Sequence, residues 1–244
     1  MAEQPVAKPR VNRIALARFE QWALPAMAKR LPLWVTPDVL TVVGILAALG
    51  IGVSYVLASY DLDWLWAASF LFVVNWWGDS LDGTVARVRR IQRERYGFFV
   101  DHQSDALSTL LIFGGIGVSE LARLDIALAM ILGYYLMMLL VDHVTIARGV
   151  FKISFGGFGP TEGRLFMMAC NTAVWALGNP TAHVLGHPLQ LFDGLGLITA
   201  GGLVFIYVLT GLKERALLAK LDPPRTPEPD PPVPDPVLED AGGR

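Results

Sequence analysis

Cysteine and charged side chains are both scarce in this chain of 244 residues. Cys170 is the single cysteine, which excludes an intrachain disulfide and a cysteine-rich zinc site. Charged residues make up 17% of the chain and hydrophobic residues 53%, a balance too apolar for an ordinary soluble domain. The first 35 residues lack an apolar core followed by a small-residue cleavage site, so we expect no cleavable signal peptide. This composition is typical of a membrane protein.

Six predominantly apolar helical segments follow one another along the chain. They cover residues 39–59, 64–87, 97–121, 126–147, 162–177 and 189–212. Pro37 and Asp38 are helix-start signals before the first segment, and a glycine-rich link, residues 156–160, separates the fourth from the fifth. We therefore predict an all-α integral membrane protein built as a six-transmembrane-helix bundle over residues 36–221.

Basic residues predict the orientation of this bundle. Of the 20 Lys and Arg residues, Arg123 is the one that would lie on the opposite side of the membrane from all the others. Because cytoplasmic loops carry an excess of Lys and Arg, we expect both termini to be cytoplasmic. The joined ends of the second and third segments then also face the cytoplasm.

Polar segments flank the bundle at both ends. Residues 1–35 contain a helical pattern over 11–31, interrupted or bent near Pro25, that is typical of an amphipathic helix at the membrane interface. The apolar stripe of this segment consists of Ala15, Phe19, Trp22, Ala23, Ala26 and Met27. The alternative interpretation is a helix packed on the surface of the bundle. Residues 222–244 hold eight of the sixteen prolines and are acidic, so we predict a disordered tail.

Four aspartates interrupt the apolar pattern where the second segment ends and the third begins. Asp79 and Asp82 are three residues apart, and Asp101 and Asp105 are four apart, so a helix places each pair on one face. A carboxylate at the centre of a membrane helix costs about 2.5–3.5 kcal/mol, and four of them require compensation. Clustered carboxylate oxygens suit a hard divalent cation such as Mg²⁺, Mn²⁺ or Ca²⁺.

A wider pattern of fixed positions includes these aspartates. It reads Asp79-x-x-Asp82-Gly83-x-x-Ala86-Arg87, nine residues, Gly97-x-x-x-Asp101-x-x-x-Asp105. This resembles the signature of the CDP-alcohol phosphotransferase family, with every fixed position filled and a central gap one residue longer than is usual. The resemblance implies an integral-membrane enzyme of phospholipid biosynthesis. Such an enzyme moves a phospho-alcohol from a CDP-alcohol donor to an alcohol acceptor, one of them a lipid, and releases CMP.

The resemblance also implies roles for the fixed residues. Asp79, Asp82, Asp101 and Asp105 would bind Mg²⁺ or Mn²⁺, with two ions expected, and Asp105 would also activate the acceptor. Gly83, Ala86 and Gly97 are small and would let the nucleotide approach the backbone closely. Arg87 would pair with a nucleotide phosphate, or else it is one of several juxtamembrane arginines.

A histidine offers a second candidate for the catalytic base. His102 follows Asp101, and Thr161-Glu162 begins the fifth segment, a combination similar to eukaryotic choline and ethanolamine phosphotransferases. In that subgroup a His–Glu pair is proposed to deprotonate the lipid hydroxyl, which an imidazole oriented by a carboxylate does well. The alternative is that His102 is hydrogen-bonded at a helix end.

Further polar residues lie on the same predicted side. Arg148, Lys152 and Arg164 are similar to basic residues that hold an acceptor phosphate in phosphatidylinositol-phosphate synthases. They would equally suit lipid headgroups or the positive-inside rule alone. Asp142 and His143 lie deep enough in the fourth segment to line the site.

Two enzymatic hypotheses follow. The first is transfer from a CDP-choline-like or CDP-ethanolamine-like donor to a lipid hydroxyl such as diacylglycerol, which His102 and Glu162 favour. The alternative uses CDP-diacylglycerol as donor and inositol, inositol phosphate, glycerol phosphate or serine as acceptor. A transporter with an acidic cation site is a third hypothesis, but such a protein would not require Gly83, Gly97 or Arg87 at these positions. We expect no nucleic-acid partner, and by resemblance we expect a homodimer.

Overall fold

Helices make up nearly all of the described fold. The computed structural model describes residues 10–11, 17–148, 151–152, 159–184 and 186–224. Within them the helices are α1 Ala17–Arg30, α2 Pro37–Ala58, α3 Trp64–Arg89, α4 Glu94–Val118, α5 Leu124–Arg148, α6 Pro160–Leu177 and α7 Leu191–Leu221. Strands β1 (Arg10–Val11) and β2 (Phe151–Lys152) pair in parallel, and β3 (Thr181–Val184) pairs antiparallel with β4 (His187–Gln190).

The six predicted segments correspond to α2 through α7. Three of these helices, α2, α5 and α7, are long and apolar enough to cross a membrane. The prediction of an all-α membrane protein is therefore supported, whereas the count of six spans, the cytoplasmic orientation and the domain boundaries stay predictions. Most of the predicted acidic tail, residues 225–244, lies outside the described residues.

Local signals explain where several helices begin and end. Thr36 caps α2, its hydroxyl accepting the Val39 N–H at 3.3 Å, and Pro37 fills the first helical position. Arg90 ends α3 in a left-handed conformation, with φ of 57°. Gly178 ends α6 in the same way, with φ of 76°, which glycine adopts without a steric penalty.

The helix contacts form a closed ring. In order around it, α2 packs on α4, α4 on α5, α5 on α7, α7 on α6, α6 on α3, and α3 back on α2. The N-termini of α2, α4 and α6 and the C-terminus of α3 therefore meet at one end of the bundle. That end carries the aspartates.

Apolar side chains fill the opposite end of the ring. Tyr55 of α2 is fully buried, packs edge-to-face on Phe192 of α7 and donates its hydroxyl proton to Asn171 Oδ1 of α6 at 2.9 Å. Phe72, Ile116, Met130 and Val174 complete this core. Because this end is closely packed, a ligand-binding site is expected at the other, polar end of the ring.

Helices α2 and α3 cross at a pair of glycines. A Cβ atom on Gly78 would lie 2.7 Å from the Leu40 carbonyl oxygen and 2.8 Å from the Gly44 nitrogen. The two backbones can therefore approach this closely only because Gly78 carries no side chain, whereas a Cβ on Gly44 would lie at an ordinary contact distance of 3.6 Å from the Asp79 nitrogen. This crossing sets Thr41 beside Asp82 and Asn75 beside Gly44, and it brings the first aspartate pair against α2.

Helix α1 packs on the bundle, chiefly on α3. Ala23, Leu24 and Ala28 are buried, whereas Phe19 and Trp22, which belong to the predicted apolar stripe, are exposed. The helix also continues through Pro25, so the predicted interruption is absent from the described backbone. The alternative of a helix on the bundle surface fits this packing, and the exposed aromatics remain compatible with a membrane interface.

Two polar side chains fasten α1 and the link that follows it. Glu20 Oε1 accepts hydrogen bonds from Trp76 Nε1 of α3 at 3.1 Å and from Thr161 Oγ1 of α6 at 2.7 Å. The Arg89 guanidinium donates to backbone carbonyls on either side of Pro32, the shortest bond being 2.7 Å to Val35. The Arg89 bonds thus tie the link between α1 and α2 to the end of α3.

Candidate active site

A small polar cavity lies between α2, α3, α4 and α6 at the aspartate end of the ring. Its volume is about 10 Å³, room for a single water-sized particle. Its lining consists of Thr41, Gly44, Ile45, Asn75, Asp79, Asp82, Ser104, Asp105, Ser108 and Arg164. Three of the four predicted metal-binding aspartates therefore share one cavity.

Asp79 is paired with a cation from another helix. Arg164 of α6 lies with Nη2 2.7 Å from Asp79 Oδ2, and its Nε donates to Asn75 Oδ1 at 2.8 Å. Asn75 in turn donates from Nδ2 to the Gly44 carbonyl at 2.9 Å. Because Asn75 is held by both α2 and α6, it fixes the fork of the guanidinium toward Asp79.

Asp82 is held by α2 and by its own backbone. The Thr41 hydroxyl donates to Asp82 Oδ2 at 2.7 Å, and the Gly83 N–H donates to the other carboxylate oxygen. Thr41 is 8% exposed, so this bond is shielded from solvent. The carboxylate is thus oriented before any ligand binds.

The second aspartate pair faces the first across the cavity. Asp105 lies within electrostatic range of Asp79, Asp82 and Asp101, and also of Arg164. Asp101 interacts in the same way with Asp82. Four carboxylates concentrated near the Arg164 guanidinium repel one another, and either a bound cation or protonation of a carboxylate would relieve that repulsion.

His102 lies beside this group but does not line the cavity. Its Nδ1 is 3.0 Å from the Phe98 carbonyl, one turn earlier on α4, and its Nε2 is 3.2 Å from Asp142 Oδ1 on α5. The ring also packs on the Phe98 ring, with centroids 4.1 Å apart. His102 therefore links α4 to α5, and the carboxylate in contact with its ring is that of Asp142.

Glu162 has a local structural role at the start of α6. Its Oε2 accepts the Gly159 N–H at 3.0 Å, closing the first turn of the helix. The preceding residue, Thr161, bonds to Glu20 of α1. The predicted pairing of Glu162 with His102 is not among these contacts and stays a prediction.

The four predicted nucleotide-binding residues lie at the aspartate end, and two of them, Arg87 and Gly97, are exposed. Gly97 is exposed, and a Cβ there would meet nothing within 4 Å, so the backbone is open to a ligand. Arg87 is exposed and donates from Nη2 to Thr84 Oγ1 at 2.9 Å, with its guanidinium beside Gly83. Ala86 is partly buried on the same helix.

The three basic residues considered as phosphate ligands have different surroundings. Arg164 lines the cavity, whereas Arg148 pairs with Glu214 of α7 at 2.7 Å. Lys152 lies in β2, and its side chain is outside the described part of the chain. Arg164 is thus the basic residue that the structure brings to the aspartates.

Sequence reasoning missed four polar residues of the lining, namely Thr41, Asn75, Ser104 and Ser108. A signal for three of them was present in the spacing. Asn75 precedes Asp79 by one turn, Ser104 follows Asp101 by three residues, and Ser108 follows Asp105 by three. Polar residues one turn from a motif carboxylate share its face and are candidates for the same site.

The chemistry of this cavity fits a hard divalent cation. Its donors are carboxylate and hydroxyl oxygens, the ligand class of Mg²⁺ and Mn²⁺, so the lining fits such an ion in type and charge. Among the described residues, however, no group of three or more His, Cys, Asp or Glu side chains is already arranged around a common metal position.

Comparison with known proteins agrees with the motif. An archaetidylinositol phosphate synthase of Pyrococcus horikoshii is 33% identical over 107 residues, which cover 43% of this chain and 53% of that protein. A phosphatidylinositol phosphate synthase of Cutibacterium acnes is 33% identical over 84 residues, covering 34% of this chain and 38% of that protein. The chain thus matches about half or less of each relative's length. Neither name supports the resemblance to choline and ethanolamine phosphotransferases.

A family model matches a much longer part of the chain. It is described as CDP-alcohol phosphatidyltransferase and aligns with residues 34–208, from the loop before α2 into α7. The match covers the whole aspartate motif and all four helices that line the cavity. The chain belongs to the CDP-alcohol phosphatidyltransferase family and is a transferase.

Proposed function

We propose that this enzyme transfers a phosphatidyl group from a CDP-diacylglycerol-type donor to a phosphorylated polar alcohol such as inositol phosphate. The acceptor oxygen forms a bond to the phosphorus that carries the diacylglycerol, and the bond from that phosphorus to the CMP oxygen breaks. The acceptor hydroxyl loses its proton to a base, and CMP leaves. The observation that carries this proposal is Arg164, a cation fixed among the aspartates and suited to a phosphate.

Two further observations favour this donor over CDP-choline or CDP-ethanolamine. Both relatives are named as inositol phosphate synthases, one for archaetidyl and one for phosphatidyl lipids. In addition, Glu162 is engaged in closing the first turn of α6, and His102 faces Asp142. These contacts give each of the two side chains another partner, and the pairing of Glu162 with His102 stays a prediction.

Asp79, Asp82, Asp101 and Asp105 are the proposed ligands of two Mg²⁺ or Mn²⁺ ions. When bound, these ions supply positive charge that neutralises the donor pyrophosphate and the leaving oxygen. The side chains around them hold the ligands in place. Thr41 orients Asp82, and the pair of Asn75 and Arg164 orients Asp79.

The remaining motif residues are proposed to hold the nucleotide. The exposed backbone at Gly97 and the small residues Gly83 and Ala86 leave room for it, and Arg87 would pair with a phosphate. Asp105, which lines the cavity, is the proposed base for the acceptor hydroxyl. The proposed assembly is a homodimer in the membrane, with the aspartate end cytoplasmic.

The test is an assay of CMP release by purified protein with two donor series. CDP-diacylglycerol is offered with inositol phosphate, inositol, glycerol phosphate or serine, and CDP-choline and CDP-ethanolamine are each offered with diacylglycerol. We expect turnover with CDP-diacylglycerol, and among its four acceptors we expect the highest kcat/KM for a phosphorylated one. Turnover from CDP-choline or CDP-ethanolamine alone would overturn the proposal in favour of the lipid-acceptor reaction.

His102 and Glu162 provide an independent check. We expect His102→Ala and Glu162→Gln to slow CMP release far less than the roughly 10²–10⁴-fold that a general base contributes. The reason is that Asp105 remains in the cavity in both variants. A loss within that range for His102→Ala, with diacylglycerol as acceptor, would instead support His102 as the base.

A further inference from the structure

An open apolar groove of about 350 Å³ runs along the outer side of the contact between α2 and α4. All of its lining residues are aliphatic or glycine. They are Leu49, Gly52, Val53, Val56, Leu57, Leu110, Leu111, Gly114, Gly115 and Val118. Several side chains along it are about half exposed, including Leu49, Val53 and Leu110.

The groove begins where the aspartate cavity ends. On α2 the cavity residue Ile45 precedes the groove residue Leu49 by one turn, which is about 6 Å. On α4 the cavity residue Ser108 precedes Leu111 by three residues. Spacings of three and four residues lie on one helix face, so cavity and groove occupy the same seam between the two helices.

The two helices keep one register along this seam. Gly52 and Gly115 bring the backbones into contact, since a Cβ on Gly52 would lie within 2.4 Å of the Leu111 carbonyl oxygen. Further along, the Glu120 N–H donates to Ser59 Oγ at 2.8 Å. Both helices therefore run in parallel away from the aspartates, and the groove follows them toward the apolar end of the bundle.

From this continuity we propose that the groove binds one acyl chain of the lipid substrate while its phosphate end lies at the aspartate cavity. The inference rests on the proposed function, in which the donor carries both a pyrophosphate and acyl chains. Aliphatic walls cannot attract a chain out of lipid by the hydrophobic effect, because lipid tails are equally apolar. The groove instead orients the chain by shape and so positions the phosphorus over the site.

Gly114 allows the groove to be filled without disturbing the helix packing. A Cβ there would meet nothing within 4 Å, and the residue lines the groove. Gly201 of α7 is a matched control, since a Cβ there also meets nothing within 4 Å and the residue is exposed outside the groove. We therefore compare Gly114→Leu with Gly201→Leu.

The experiment measures kcat/KM for CDP-dipalmitoylglycerol and CDP-dihexanoylglycerol with inositol phosphate. We expect Gly114→Leu to lower the value for the long-chain donor by about tenfold or more, as filling an apolar subsite does. The value for the short-chain donor should be unchanged, and Gly201→Leu should alter neither. Turnover of the short-chain donor also reports that the variant is folded, and Val53→Trp serves as a second filling variant.

Equal losses for both donors, or no loss for either, would overturn the acyl-chain assignment. A changed oligomeric state for Gly114→Leu in detergent, without discrimination by chain length, would show that a second copy covers the groove. If wild-type protein turns over CDP-choline and diacylglycerol instead, the proposed function fails. The same chain-length series, measured with diacylglycerol as acceptor, then tests whether the groove binds an acyl chain independently of the proposed function.

Discussion

Replacing Asp79, Asp82 or Asp101 with asparagine is expected to reduce CMP release by at least about 10²–10³-fold in each case, the scale of losing one charged group at a preorganised site. Each change keeps the size of the side chain but removes a charge that the proposed metal ions require. The Thr41 bond to Asp82 can persist in Asp82→Asn, because an amide oxygen also accepts. Protein in detergent should stay folded.

The measurement is steady-state CMP release as a function of Mg²⁺ or Mn²⁺ concentration, together with direct Mn²⁺ binding. Asp61→Asn is the matched control, because Asp61 is an exposed carboxylate in the loop between α2 and α3, at the opposite end of the bundle. We expect it to behave as wild type. Near-normal turnover of any one of the three variants at ordinary Mg²⁺ would remove that residue from the ligand set.

Arg164→Gln is expected to lower kcat/KM by about 10²-fold or more, with the larger loss for a phosphorylated acceptor. The variant removes the charge-assisted bond to Asp79 and leaves that carboxylate among the other aspartates without the positive charge of Arg164. Arg164→Lys should recover part of the loss, because an ammonium keeps the charge but cannot reproduce the fork that bonds Asn75 and Asp79 together.

Comparing acceptors separates a role in binding phosphate from a structural role. Inositol phosphate and inositol are used with the same donor, and KM and kcat are determined for each. Arg215→Gln is the control, since Arg215 is exposed on α7. Equal losses for both acceptors would mean that Arg164 acts only by holding Asp79, and the proposal that it receives the acceptor phosphate would be wrong.

Much of the helical framework could be predicted from sequence because its causes are local. Apolar windows, the Thr36-Pro37 start of α2 and the glycine at the end of α6 act within a turn or two of the chain. The hairpin of β3 and β4 was missed, because Asn179 holds it by bonds to Leu121 and Gln190, contacts made through tertiary packing. Helix α1 likewise continues through Pro25, where packing of Leu24 and Ala28 outweighs a lost backbone bond.

The candidate site was partly predictable for the same reason. The spacing of Asp79, Asp82, Asp101 and Asp105 is a property of single helices, and it was enough to predict two pairs of carboxylates. The carboxylate that faces His102 could not be predicted from spacing along one helix. The packing of α4 on α5 places Asp142 beside His102, and the pairing with Glu162 that sequence similarity suggested stays a prediction.

The sequence by itself determined the class of this protein and its family motif, because composition and short spacings are sufficient for those. Tertiary structure alone decided which side chains share the cavity. Arg164 reaches Asp79 only because α6 packs on α3, and Thr41 reaches Asp82 only because Gly78 lets α3 cross α2 in contact. Such partners lie far apart in the chain, and the free energy that pairs them comes from helix packing rather than from local preference.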